Sequence, residues 1–281
     1  MTGHGAHPLP PELTDLEARC RRAVTRCGDG TMAWRSWGDS ERLWVLLHGG
    51  AGWWAHFARN IPTLARHATL WVPDLPGMGE SALPPDPWTP FSIAALLEAG
   101  LQEILGARPV DLVGFSFGGM IAAHWAAAQP QRVRRAVIAN AAGTGLANPP
   151  RGAMKTWRRV PDAAARRELH RHNLCVWMLH DPDRADDLAT IIAAIGAESD
   201  RLRNRDVSAS DALLRVLPQV RCPVHGLWAE HDALFVERRA ELEATLLNAG
   251  LSSVTVLPDA GHWINHEQAD AFDARVVALL A

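Results

Sequence analysis

Apolar residues in this chain gather into short solid runs, divided by polar and glycine-rich breaks. Leu43-Trp44-Val45-Leu46-Leu47 is such a run, and residues 110–113 form another. Runs with no polar alternate are expected of strands buried on both faces of a parallel sheet. Residues 69–72 and 133–139 also read as strands, as do 224–229 and 254–257 further on. Segments of helical character lie between them. Residues 54–66 form one. A second runs to about residue 105, with Ser92 as its expected cap. A third, of small residues, spans 117–129 and is ended by Pro130. Short connections between alternating strands and helices predict a parallel α/β sheet with right-handed crossovers.

The ends and the middle read differently. Residues 13–26 predict a short helix. Met32 to Trp37 alternates as an edge strand does, and Gly38-Asp39-Ser40 reads as a turn. Residues 143–217 hold helical stretches and many arginines but no buried strand, so a helical insertion within a sheet domain is expected. A final helix is expected over 266–280. The N-terminal helix would cover a sheet edge.

The 281 residues suit one large domain, or a core with an insertion. Hydrophobic residues make up 48% and charged residues 21%, which supports a packed, soluble core and argues against disorder. Lys+Arg 28 against Asp+Glu 31 lacks the basic excess of a nucleic-acid binder. No apolar run approaches the roughly 18 residues that a membrane span needs, and the N-terminal stretch does not read as a secretory signal. Tyrosine is absent, so no tyrosine can act as a catalytic acid. Cys20, Cys27, Cys175 and Cys222 are scattered without metal-ligand spacing, so no zinc site is expected. A reduced, cytoplasmic setting follows from that cysteine usage.

The chemistry concentrates at strand ends. Gly114-Phe115-Ser116-Phe117-Gly118 matches G-x-S-x-G at a junction of strand and helix. A sharp turn there lifts the serine hydroxyl out of the sheet and aims the helix N-terminus at developing negative charge. A serine hydroxyl needs a neighbouring base. Of 13 histidines, only His262 follows a strand and a Pro258-Asp259-Ala260-Gly261 turn just before the last helix. Asp232, just past the strand at 224–229, is the expected orienting acid, with Glu230 its nearest competitor. Asn140, at the alternative acid position, cannot bear the charge. Two backbone amides should meet the oxyanion. Phe117 supplies one, and Gly50 of His48-Gly49-Gly50-Ala51 the other, with Ala51 as the alternative.

These landmarks together resemble those of an α/β-hydrolase fold serine hydrolase with a helical cap. His48-Gly49-Gly50, the loop Asp74-Leu75-Pro76-Gly77-Met78-Gly79-Glu80-Ser81, the elbow with Gly119 behind it, Trp228-Ala229-Glu230-His231-Asp232 and Gly261-His262-Trp263 occur in the family's order. One departure is Ala229, where the family usually has glycine. The resemblance implies a mostly parallel eight-stranded sheet flanked by helices. Residues 1–142 and 218–281 would form the core, and residues 143–217 a cap between the sixth and seventh strands. It also implies the triad Ser116, Asp232 and His262, with no cofactor and no metal.

A serine at the elbow separates the chain from the haloalkane dehalogenases and epoxide hydrolases of this fold, which use aspartate. Within the serine branch it looks most like carboxylesterases and meta-cleavage product hydrolases. Trp263 after His262 is similar to the second group, whereas Phe115 stands where that group commonly has asparagine. That group also holds an anionic dienoate with a cap arginine. Candidates run from Arg151 to Arg171 and include Arg201, Arg203 and Arg205, with a solvated helix face the commoner use of each. Phe115, Trp263, Trp53, Trp54, Trp157, Trp177, Met154 and Met178 are candidates to line an apolar substrate pocket.

The expectation is therefore a cofactor-free serine hydrolase of a mainly hydrophobic carboxylic ester. A carbon–carbon bond hydrolase is the alternative, and a ligand-binding protein with an idle triad the alternative from another class. A small molecule is the expected partner, without nucleic acid or membrane, and a homodimer is left open.

Overall fold

The computed structural model describes residues 7–147 and 154–281, so Arg151 lies outside the described residues. Eight strands form one sheet: β1 (Arg21–Cys27), β2 (Gly30–Trp37), β3 (Leu43–Leu47), β4 (Thr69–Pro73), β5 (Val110–Phe115), β6 (Val133–Ala139), β7 (Val224–Ala229) and β8 (Ser253–Leu257). Their order across the sheet is β1-β2-β4-β3-β5-β6-β7-β8. Pairing is antiparallel from β1 to β2 and from β2 to β4, and parallel from β4 onward. The helices are α1 (Pro11–Arg19), α2 (Ile61–Leu64), α3 (Pro90–Leu105), α4 (Phe117–Ala128), α5 (Ala163–Trp177), α6 (Asp187–Ser199), α7 (Arg205–Ala209), α8 (Ala212–Val216), α9 (Arg239–Ala249), α10 (Ile264–Glu267) and α11 (Ala269–Leu280).

Side chains on the sheet alternate between two cores, as the strand period of two requires. From β3, Leu43, Val45 and Leu47 join α3, α4 and α9 on one face. Trp44 and Leu46 join α1, α2 and α11 on the other. Fully burying each of Ile93, Leu97 and Leu101 of α3 stabilises the packing by about 1.5–3 kcal/mol. Helix α3 carries the chain from β4, on one side of β3, across to β5 on the other side. Connections after β3 and β5 therefore leave in opposite directions, and a crevice opens at the carboxyl ends of these two strands. Between β6 and β7 the described residues contain α5 to α8 and no strand.

Five local expectations are corrected. Residues 13–26 are not one helix, because α1 stops at Arg19 and β1 begins at Arg21. Gly28, at φ 53°, turns β1 back so that Cys27 pairs with Gly30, while Thr25 and Cys27 point inward. Met32 to Trp37 belongs to β2, which is flanked on both sides, because β1 takes the edge. Thr89, not Ser92, caps α3. Its hydroxyl accepts from the Ser92 N–H at 3.1 Å while the Ser92 hydroxyl accepts from the Thr89 N–H at 2.8 Å, a reciprocal capping box. The C-terminal helix is two pieces, α10 and α11, joined at Gln268. Residues 54–66 likewise divide into a 3-10 turn at Trp54–Phe57 and the short α2.

A buried ion cluster ties the N-terminal helix to the crevice. The Arg35 guanidinium, on β2 and without exposed surface, donates to Glu17 of α1 at 2.8 Å, to Glu80 at 2.6 Å and to Asp74 at 3.2 Å. Burial alone would weaken its hold on the proton, but Asp74, Glu17 and Glu80 raise its pKa well above the ordinary value. The other oxygen of Asp74 accepts the Trp54 N–H at 2.8 Å, which anchors the chain that follows β3. Replacing Arg35 by Met leaves Asp74 buried without its cation, and the expected loss is about 3–5 kcal/mol. Glu17→Gln keeps an acceptor at the half-wet end of the cluster, and should cost about 1 kcal/mol. Urea unfolding midpoints of the two variants check this ranking.

Candidate active site

Ser116 is the single residue between the end of β5 and the start of α4, with φ 51° and ψ −115°. A side chain rarely tolerates such a backbone, so neighbours must hold it there. The Ser116 N–H donates to the Ala139 carbonyl at 2.8 Å, and its carbonyl accepts the Gly119 and Ala142 N–H groups, each at 3.0 Å. A β carbon on Gly118 would overlap the Leu47 carbonyl oxygen. Helix α4 thus starts against the backbone of β3, where only glycine fits.

The three side chains named from sequence meet at this turn. His262 Nε2 lies 3.0 Å from Ser116 Oγ, and His262 Nδ1 lies 2.8 Å from Asp232 Oδ2. His262 and Asp232 are buried, whereas Ser116 keeps some exposed surface. A carboxylate can only accept, so Nδ1 carries the proton and Nε2 turns its lone pair to the hydroxyl. Asp232 Oδ1 also accepts the Leu234 N–H at 2.9 Å. Glu230 instead faces Arg239 at 3.4 Å and His231 at 3.7 Å on the partly exposed side.

Two further residues brace the loops that carry Asp232 and His262: Asn140, which the sequence marked only as unable to be the acid, and Glu267, which no pattern singled out. Asn140, at φ 41° after β6 and without exposed surface, accepts the Ala229 N–H at 2.9 Å and donates to the His262 carbonyl at 2.8 Å. One amide side chain therefore spans both loops. Glu267, on α10, accepts the N–H groups of His180 and Asp181 at 2.9 Å each and of Gly261 at 2.6 Å. It fastens the chain after α5 to the His262 loop. The Trp263 N–H reinforces that seam by donating to the Met178 carbonyl at 2.7 Å.

The loop after β3 runs beside Ser116, since a β carbon on Gly49 would lie 3.3 Å from Ser116 Cβ. His48 sets its course. Its Nδ1–H donates to the Gly49 carbonyl at 2.8 Å, and Nε2 accepts the Leu75 N–H at 2.9 Å. Gly50 follows, then Ala51 in the left-handed region at φ 50°. Phe117 opens α4, so its N–H has no acceptor within the helix.

Of the predicted pocket residues, Trp54 and Trp263 have no exposed surface, and Trp53 and Phe115 have 1% each. Trp54 packs against Trp37 and under Arg35. Trp263 stacks on His266 at 4.2 Å, and its indole N–H donates to the His56 carbonyl at 3.2 Å. Trp53 donates to the Ile192 carbonyl at 3.0 Å, and the Phe115 ring packs against His262. These four are core-packed rather than open walls. Trp157 packs at a tilt against His170 and under Arg158, Trp177 and Met178 are half-buried near the end of α5, and Met154 is exposed. Arg166 pairs with Glu198, Arg171 with the Ala185 carbonyl and Asp187, and Arg201 with the Ser81 carbonyl. Arg203 and Arg205 are exposed.

Burial shapes the titration of the groups behind His262. His266 falls to about 3, because burial opposes its charge and Arg59 adds repulsion. His56 falls well below its ordinary range through burial and the neighbouring His48 and His266. Asp273 of α11 is pushed up to about 7 by burial, although Asn60 donates to it at 2.8 Å. Burial also raises the Cys27 thiol to about 11, and it donates to the Ala82 carbonyl. Among the described residues no group of three or more His, Cys, Asp or Glu could hold a metal ion. No helix there is long and apolar enough to cross a membrane.

Residues 44–269 match the family model of the α/β-hydrolase fold, and the chain belongs to that family. Among curated relatives, a 2-hydroxy-6-oxo-6-phenylhexa-2,4-dienoate hydrolase of Burkholderia cepacia is 28% identical over 259 residues, covering 87% of this chain and 89% of the relative. A pimeloyl-[acyl-carrier protein] methyl ester esterase of Chromobacterium violaceum is 30% identical over 233 residues, covering 81% and 82%. Among solved structures, the carboxylesterase CesB of Bacillus subtilis superposes with a TM-score of 0.74 at 18% identity, over 96% of this chain and 94% of that one.

Two measurements test the bracing. Asn140→Ala strands the Ala229 N–H, which is expected to cost about 1–3 kcal/mol. Circular dichroism melts should record that loss. The Asp273 carboxyl ionises near 3.8 in the unfolded chain and at about 7 in the fold, so the stability it confers is present below 3.8 and lost as pH rises to 7. Asp273→Asn keeps the acceptor for Asn60 and has no charge to bury. Its melting temperature should exceed the wild type's by on the order of 5 °C at pH 8, with the gain gone below about pH 4.

Proposed function

We propose that the chain is a cofactor-free serine hydrolase that cleaves a mainly hydrophobic carboxylic ester through an acyl-enzyme on Ser116. The observation that carries this reading is the continuous hydrogen-bonded line from Ser116 Oγ to His262 Nε2 at 3.0 Å and from His262 Nδ1 to Asp232 at 2.8 Å. His262 takes the hydroxyl proton as Ser116 Oγ attacks the ester carbonyl. The amides of Phe117 and Gly50, or Ala51 in place of Gly50, hold the oxyanion, and each donor contributes about 3–4 kcal/mol. Protonated His262 then hands its proton to the departing alkoxide. It next draws a proton from water, which releases the acid. Asp232 keeps Nδ1–H in place throughout and stabilises the imidazolium. Residues 143–217 act as the cap over this crevice.

Ester cleavage is preferred to carbon–carbon cleavage on three observations. Trp263 is sealed into the core with its N–H engaged. Phe115 stands before the serine. Arg166, Arg171 and Arg201 are spoken for by other partners. The likeness to the Burkholderia cepacia dienoate hydrolase favours carbon–carbon cleavage as the second reading.

Ser116→Ala should abolish turnover of p-nitrophenyl butyrate, and Asp232→Asn should lower kcat about 10⁴-fold while the fold persists. A chromogenic dienoate in the same plates separates the two readings. Turnover of the dienoate with none of the ester favours the second. A folded protein that handles neither, and never reacts with a fluorophosphonate at Ser116, sinks both.

A further inference from the structure

The insert touches the loop after β3 directly. A β carbon on Gly196 would overlap the Ala51 carbonyl, so α6 rests its bare backbone on this loop. The chain leaving α6 is then pinned at successive residues. The Arg201 N–H donates to the Gly77 carbonyl at 2.9 Å, and the Leu202 N–H to Asp200 at 3.0 Å. Leu202 is buried. The Asn204 N–H donates to the Leu202 carbonyl at 3.0 Å, and the Asn204 carbonyl accepts the Ser208 N–H at 2.9 Å. The backbone at Asn204 is therefore fixed from both sides.

From that position the Asn204 side chain lies over Gly50. Its Nδ2 would be 3.0 Å from a β carbon built on Gly50, and its Oδ1 3.5 Å away. That nitrogen is buried and has no hydrogen-bond partner in the protein. Folded proteins rarely strand an amide donor, because it has given up water for nothing, and functional sites are where the exceptions persist. A glycine amide nitrogen sits about 2.5 Å from its own β-carbon position. The Gly50 nitrogen and Asn204 Nδ2 are thus no more than about 5.5 Å apart, so two hydrogen bonds of ordinary length can meet on one shared oxygen.

We propose that Asn204 is a third donor to the carbonyl oxygen of the ester, supplied by the insert; this rests on the ester-hydrolase reading above. As the bond from Ser116 Oγ to the carbonyl carbon forms, the carbonyl π pair moves onto oxygen and the hydroxyl proton passes to His262. Asn204 Nδ2–H strengthens its hydrogen bond to that oxygen and transfers no proton. Collapse of the intermediate returns the pair to carbon and expels the alkoxide, which takes the His262 proton. The oxyanion site is then complete only while α6 is seated on the loop.

Asn204→Ala and Asn204→Asp test this in the full chain, with p-nitrophenyl butyrate kinetics, an octyl trifluoromethyl ketone as the tetrahedral probe, and thermal melts. Asn204→Ala is expected to lower kcat about 10²-fold with KM changed less than about threefold, and to weaken the ketone by the same factor. Asn204→Asp should be worse than Asn204→Ala on both, because it sets a carboxylate against the oxyanion, while each variant melts within a few degrees of wild type. Unchanged kcat and ketone affinity in Asn204→Ala would overturn the inference alone. So would a loss confined to KM, or losses that follow the melting temperature with Asp no worse than Ala. A wild type that neither hydrolyses the ester nor binds the ketone overturns the ester reading, and the inference with it.

Discussion

The close approach of α4 to β3 is the constraint from which the site follows. Without a side chain at Gly118, the helix can begin against the Leu47 carbonyl, and the chain must reverse within one residue to get there. That residue is Ser116, held at a positive φ by hydrogen bonds to Ala139, Gly119 and Ala142. A strained backbone survives when the surrounding packing leaves it no alternative. Two consequences come with the turn. The hydroxyl rises above the sheet, and the first amides of α4 point back at whatever binds the serine. Parallel pairing of β3 with β5 brings the loop of Gly49, Gly50 and Ala51 alongside.

Holding Asp232 and His262 in register falls to neutral and anionic acceptors that span loops. Asn140 joins the end of β7 to His262 through one planar amide, so a shift of either loop would break a hydrogen bond buried away from water. Glu267 does the same between the His262 loop and the start of the segment after α5, using three backbone donors and no cation among its hydrogen bonds. The Arg35 cluster extends the arrangement outward, from α1 through Asp74 to Trp54. Three polar centres therefore fix the segments around the crevice, while the hydrophobic layers fix the sheet.

The strand runs were legible because a parallel strand buried on both faces leaves a solid apolar signature. The convergence of Ser116, Asp232 and His262 was legible because the three follow strands in a fixed order. β1 was not legible as a strand. Arg21-Arg22-Ala23-Val24 has an exposed side like that of a surface helix, and only pairing to β2 across the Gly28 turn decides its form. The tryptophans misled for a related reason: a large apolar residue near a site serves a wall and a core equally well, and burial separates them. Asn140 and Glu267 carry no pattern at all. Their role depends on backbone groups of distant loops, which no spacing along the chain reports. Asn140 was noticed as a residue that could not be the acid, yet its neutrality is what lets it accept from Ala229 and donate to His262 at once.

The histidines near the crevice make the same point about chemistry. His48 has spent both ring nitrogens, one donating to the Gly49 carbonyl and the other accepting from Leu75, and burial lowers its proton affinity. His56 and His266 lie in the core, where burial and neighbouring charges oppose protonation. A general base must gain a proton in the transition state and lose it again, and burial opposes that at all three of these rings. His262 differs by one contact. The Asp232 carboxylate stands against its far nitrogen at 2.8 Å, and a carboxylate placed there can offset a charge gained at the near nitrogen. Among these buried rings His262 is thus set apart by its partner rather than by its position, and the carboxylate after β7 belongs to the candidate site as much as the serine does.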